Sequence, residues 1–203
     1  MGPGAYRIGA AFLRRARVVE RARPVMQALM EATGETANLG VARGDQVLFV
    51  SQAETHETIR AFFPPGTESP MYASGIGKAL LAHFPEDRLD GLLARMALEG
   101  FTANTITSEE DLRQDLKAIR TRGYSVDNEE RTDGMRCVAA PIFNAAGDPV
   151  AGLSVSGPVS RMTPEAAPRM GAAVCAAAAQ VTAAIGGAGP GRAAAPVRPA
   201  SSF

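Results

Sequence analysis

Histidine and cysteine are scarce in this chain: two of each among 203 residues. That leaves little from which to build a metal centre or a proton-transfer triad. Cys137 and Cys175 offer at most one disulfide, and no Cys-x-x-Cys or Cys/His cluster suggests structural zinc. An excess of charge of one sign is also missing. Lysine plus arginine count 21 and aspartate plus glutamate count 21, so no global field favours nucleic acid or an anionic membrane. Long hydrophobic runs are absent as well. The most apolar stretch, GAAVCAAAAQVTAAIGG at 171–187, is alanine-rich, broken by Gln180 and Thr182 and under span length, and the N-terminus has no signal-peptide core. The expectation is a soluble cytoplasmic protein with reduced thiols, no membrane partner, no cofactor and one main core.

What is present is a clear order of elements. Apolar residues recur at helical spacing from Ile8 to Thr33, and Pro24 argues for two helices meeting near Val18 to Pro24, with Gly34 as the stop. ETANLGVA (35–42) and QVLFVSQAE (46–54) flank Arg43-Gly44-Asp45 as a hairpin, and TIRAFFP (58–64) is a candidate third strand. After a Pro/Gly-rich loop, YASGIGKALLAHF (72–84) and PEDRLDGLLARMAL (85–98) read as helical, and Ser108 with Asp111 opens another amphipathic helix closed by Gly123. YSVD (124–127), RCVAAPIFN (136–144) and PVAGLSVSG (149–157) read as strands. A last alanine-rich helix begins at Ser160 or Thr163 and runs to about Ile185, and residues 187–203 have no periodicity and are expected to form a disordered tail. The fold class is therefore α+β, a largely antiparallel sheet flanked by helices.

Four features carry potential chemistry. Ser74-Gly75-Ile76-Gly77-Lys78 enters a helix, which aims free N–H groups at whatever lies before Gly75. It lacks the spacing of a nucleotide-binding phosphate loop, and its plainer reading is an N-cap serine with glycines for close packing. Asp127 ends a short strand, where a turn-capping role is commoner than a functional one. Cys137 lies in the next strand with no histidine nearby to activate it. Ser154 and Ser156 share one face of GLSVSGP while Leu153 and Val155 share the other, so the two hydroxyls either meet backbone acceptors or face a ligand. Phe62, Phe63 and Met71 flank the loop before Gly75 and are candidates for a pocket wall. Together the set suits a compact polar acid better than a large apolar ligand. No serine has a histidine placed as its base, since His56 lies in a loop and His83 on a helix, so catalysis is not expected.

YRIGAAFL, VVERARPVMQALMEATGETANLGV, YASGIGKALLAHFPEDRL and GYSVDNEERTDGMRCVAAPIFNAAGDPVAGLSVSGPVSRMT stand in this order over residues 5–186, and the combination closely resembles the effector-binding domain of IclR-type bacterial transcriptional regulators. The resemblance implies a GAF-like fold preceded by a linker helix. It divides the chain into residues 1–17, a remnant of a winged-helix domain end and linker helix; 18–186, the effector-binding domain; and the tail. It implies a homodimer or homotetramer, and operator DNA bound only through a winged helix-turn-helix that these residues do not include. In family members that bind glyoxylate or pyruvate, the positions matching Gly75, Ile76, Asp127, Cys137, Ser154 and Ser156 form the carboxylate pocket. All match in residue type except Ile76, where alanine is common. A small carboxylic acid, glyoxylate or similar, is the expected effector, with Met71 beside it. A stand-alone GAF-like sensor and an enzyme acting on a small keto acid are the alternatives.

Overall fold

The computed structural model describes residues 3–61 and 63–190, with side chains from Arg17 onward. Helix α1 runs Pro3–Thr33 without a break, so the expected junction of two helices near Pro24 is not there. Pro24 is exposed on the solvent side, while Ala22, Met26, Leu29 and Met30 are buried against the sheet. An interior proline costs about 3 kcal/mol. Burying the Met26, Leu29 and Met30 side chains contributes roughly 1.5–3 kcal/mol each, which outweighs that cost. Gly34, at φ +75°, ends the helix with its N–H donating to the Met30 carbonyl at 2.8 Å.

Strands β1 (Thr36–Arg43) and β2 (Gln46–Ala53) form the expected hairpin, with Gly44 at φ +65° in the two-residue turn. Among the described residues of 58–64, the expected third strand does not form. Pro64 and Pro65 remove ladder donors and lead into a turn at Gly66, so pairing with β2 is completed instead by the short β3 (Glu68–Pro70). A 3₁₀ turn (Met71–Ala73) then leads into α2 (Gly75–Leu81), α3 (Glu86–Leu93) and α4 (Glu109–Arg122). Ser108 caps α4 by accepting from the Asp111 N–H at 3.1 Å, and Gly123 closes it at φ +86°, as the spacing predicted. Strands β4 (Ser125–Asn128), β5 (Met135–Phe143) and β6 (Pro149–Pro158) follow. Helix α5 (Ala167–Ala184) starts later than expected, because Thr163 caps a separate turn and Pro168 fits only the first turn of the helix. The start of the C-terminal segment is fixed: the Gly187 and Ala188 N–H groups donate to Thr182 and Asn144 carbonyls.

The strands form one six-stranded sheet in the order β3-β2-β1-β6-β5-β4, antiparallel throughout, so the α+β reading holds. The central β1–β6 pair joins the two hairpins across most of the chain. Alternation then sorts the sheet into two faces. Leu39, Val138, Ala140, Leu153 and Val155 point into a core closed by α1 and α5. Thr36, Asn38, Cys137, Ala139, Ser154 and Ser156 point the other way, toward α2 and its own apolar cluster. That second face carries the polar residues.

Candidate functional site

Strand register places the polar residues in two adjacent rows. Thr36, Ser156, Cys137 and Asp127 are successive partners across β1, β6, β5 and β4, and Asn38, Ser154, Ala139 and Ser125 form the neighbouring row. Small side chains are required here because α2 lies close above. A Cβ on Gly75 would stand 2.7 Å from Cys137 Sγ, and one on Gly77 would stand 2.1 Å from the Met71 carbonyl oxygen. Ser74 caps the helix by accepting from the Gly77 N–H at 3.4 Å, and Ser125 Oγ donates to the Gly75 carbonyl at 2.6 Å, tying the helix start to β4.

Between the rows and the helix start lies a small cavity of about 20 Å³. That exceeds the roughly 10–15 Å³ needed to admit a water and falls far below the roughly 300 Å³ at which drug-sized pockets begin. Six of the seven expected residues meet there: Gly75, Ile76, Asp127, Cys137, Ser154 and Ser156 all line it. Met71 does not. It is fully buried in the apolar cluster, where its backbone packs against Gly77, so its place is in the core rather than on the wall. Phe63 is on the wall, stacked on Phe49 with centroids 5.0 Å apart, whereas Phe62 lies outside the described residues. Ile76 directs much of its bulk into a notch left by Gly40 and Gly152, where added Cβ atoms would stand 3.3 and 2.6 Å from its methyl groups.

The serines divide by partner. Asn38 Nδ2 donates to Ser156 Oγ at 3.4 Å and is itself held by Gln52, whose amide donates to Asn38 Oδ1 at 3.1 Å. Ser154 Oγ is fully buried and has no hydrogen-bond partner among the described residues. An unsatisfied buried hydroxyl costs about 1–3 kcal/mol, so this one calls for a ligand or water.

Burial, reinforced by the nearby Glu130 charge, pushes the Asp127 carboxyl up to about 7; the Glu130 N–H, donating to Asp127 Oδ1 at 2.8 Å, and Lys78 oppose the rise. Asp127 therefore spends much of its time protonated near neutral pH. Burial and then Asp127 push the Cys137 thiol up to about 12; the Ser156 and Ser154 hydroxyls face the sulfur and oppose the rise, although neither meets it in hydrogen-bond geometry. A thiol held neutral is a poor nucleophile, and the site lacks the means to activate it. Lys78 is fully buried and pairs with Glu130 at 2.6 Å and Asp115 at 2.7 Å. Burial works against its charge, but the two carboxylates outweigh burial and raise its pKa. The lysine of the Gly-x-Gly-Lys run thus joins α2 to α4 and the loop after β4, rather than facing a phosphate.

Sequence reasoning missed three residues here. Asn38 shares a strand face with Thr36, and that period-two pattern could have revealed it. Lys78 and Arg131 gave no such signal, because a lysine on a helix and an arginine in Asn-Glu-Glu-Arg both read as solvated.

The fold recurs in solved structures of bacterial transcriptional regulators. The crystal structure of the Thermotoga maritima IclR superposes with a TM-score of 0.82 at 33% identity, covering 91% of this chain and 75% of that one. The C-terminal domain of the Escherichia coli regulator KdgR superposes with a TM-score of 0.76 at 32% identity, covering 84% of this chain and 99% of that one. The fold is thus the GAF-like fold of these domains. Residues 10–183 match the family model "Bacterial transcriptional regulator IclR C-terminal", and the chain belongs to this family. Relatives include the HTH-type transcriptional regulator BhcR of Paracoccus denitrificans, 59% identical over 182 residues, and the transcriptional repressor IclR of Escherichia coli, 39% identical over 189. The matches cover 90% and 92% of this chain but only 65% and 69% of those relatives.

Proposed function

We propose that this domain senses a small carboxylic or keto acid, with glyoxylate the best candidate, and that occupancy of the cavity controls operator binding by a winged helix-turn-helix lying outside these residues. The observation that carries the reading is Ser154 Oγ: buried, unpartnered, and on the wall of a cavity with room for little more than one water, which a two-carbon acid enters only as the wall side chains shift. Ser156, already held by Asn38, and Ser154 both have a hydrogen to donate to a carboxylate. Protonated Asp127 donates as well, whereas ionised Asp127 would repel the ligand. The linker helix, the division at residues 17 and 186, and assembly as a homodimer or homotetramer belong to the same proposal.

Thermal unfolding against glyoxylate, pyruvate, glycolate, oxalate, a sugar acid and an aromatic acid, confirmed by calorimetry, tests it. A ligand at 100 times its Kd stabilises by about 2.7 kcal/mol, so glyoxylate should raise the midpoint by several degrees. A shift with a larger acid and none with a two- or three-carbon acid would overturn the assignment of the ligand.

A further inference from the structure

The cavity wall contains one cation that the site as described does not use. Arg131, in the loop that follows β4, is half-buried, lines the cavity, and makes no ion pair among the described residues. Its guanidinium lies 3.8 Å from the centroid of the Phe101 ring, a stacking contact that holds the side chain without consuming its five donors. Lys78 of α2 is committed to Glu130 and Asp115. An anion entering this cavity therefore meets one free positive charge and one acid, Asp127, that repels it when ionised. The loop carrying Arg131 is held in place. Thr102 Oγ1 and Thr105 Oγ1 donate to the Glu129 and Glu130 carbonyls at 2.7 and 2.6 Å, and Glu129 takes the left-handed conformation at φ +61°.

We propose that Arg131 is a specificity-determining residue of the acid site, pairing with the carboxylate of the bound ligand from a guanidinium that rests on the Phe101 ring. The inference rests on the sensor reading and adds to it the residue that selects an anion over a neutral molecule of the same size. Phe101 acts as a positioning residue through Arg131.

The test uses the whole chain, with glyoxylate and its uncharged analogue glycolaldehyde as probes, in calorimetric titrations of the parent and of Arg131→Gln, Arg131→Lys and Phe101→Leu. A charge-assisted hydrogen bond lost on removing one partner corresponds to roughly a ten- to hundredfold loss of affinity. Arg131→Gln should weaken glyoxylate by that factor, reduce the salt dependence of binding and leave glycolaldehyde unchanged. Arg131→Lys should recover part of the loss, and Phe101→Leu should fall between. Unfolding midpoints of the ligand-free variants near the parent's would show that folding is intact. If the parent binds glyoxylate and Arg131→Gln binds it equally well, Arg131 has no such role and the sensor reading stands. If the parent binds neither glyoxylate nor any other small acid, both fall together.

Discussion

Asp127 stands directly opposite Cys137 across the β4–β5 pair, and both are half-buried at one end of the polar row. Their proximity raises the thiol, while the same burial, with Glu130, holds the carboxyl near 7. In the unfolded chain an aspartate titrates near 3.9. Between about 4 and about 7 the folded protein thus keeps a proton that the unfolded chain has released. The stabilisation from this group is complete below the lower value and is lost as pH rises through the upper one. Asp127→Asn removes that dependence and still accepts from the Glu130 N–H. Urea unfolding from pH 4 to 8 should show the parent losing on the order of a few kcal/mol relative to the variant. Parallel curves would mean that Asp127 titrates as an ordinary surface acid. Glyoxylate affinity should fall over the same upper range in the parent and stay level in Asp127→Asn.

Ser154 separates stability from binding. Its hydroxyl is buried without a partner, so Ser154→Ala removes an unsatisfied group and should be neutral or stabilising by up to about 1 kcal/mol without ligand. The same change should weaken glyoxylate roughly tenfold, because one donor to the carboxylate is gone. A Ser154→Ala protein that is clearly destabilised when empty would show that the hydroxyl has a structural partner.

Gly75 and Gly77 should respond differently to the same substitution. Alanine in place of glycine inside a helix ordinarily gains about 1 kcal/mol. At Gly77 the new Cβ would meet the Met71 backbone at 2.1 Å, and backbone cannot swing aside, so Gly77→Ala should cost roughly 1–3 kcal/mol or more. At Gly75 the obstacle is the Cys137 thiol at 2.7 Å, a side chain that can rotate into the cavity. Gly75→Ala should therefore keep most of its stability and lose ligand binding. Chemical denaturation and calorimetry on both variants distinguish the two effects.

Much of this arrangement was legible in the sequence, for identifiable reasons. Period-two alternation in GLSVSGP put both serines on one face, and the structure places that face against α2 with Cys137 and Asp127 alongside. Capping chemistry set both ends of α4. What escaped were outcomes decided by tertiary contact. The proline in α1 is tolerated because the opposite face of the helix is buried, and a charged side chain such as Lys78 is enclosed only because two acids from distant segments converge on it. Met71 looked like a wall residue because it flanks the loop, yet the 3₁₀ turn points it into the core. None of these follows from local pattern.

Arg161, the arginine that ends the Ser-Gly-Pro-x-Ser-Arg run, grips both oxygens of Glu35, at 2.6 and 2.9 Å. Glu35 is 2% exposed and follows directly on the end of α1, and its carboxylate fits only because Gly157 beneath it has no side chain. One residue further on, Thr36 is the register partner of Ser156, so this pair fastens the helix terminus to the sensing row. Breaking a buried pair from one side leaves a charge uncompensated and costs about 3–5 kcal/mol. Arg161 is about one-third exposed, which places Arg161→Met toward the lower figure, about 3 kcal/mol in urea unfolding. Arg161→Met combined with Glu35→Gln should recover most of that loss, since no ionised group is then left buried. A double variant as unstable as Arg161→Met alone would locate the cost in lost packing of the arginine rather than in the stranded carboxylate.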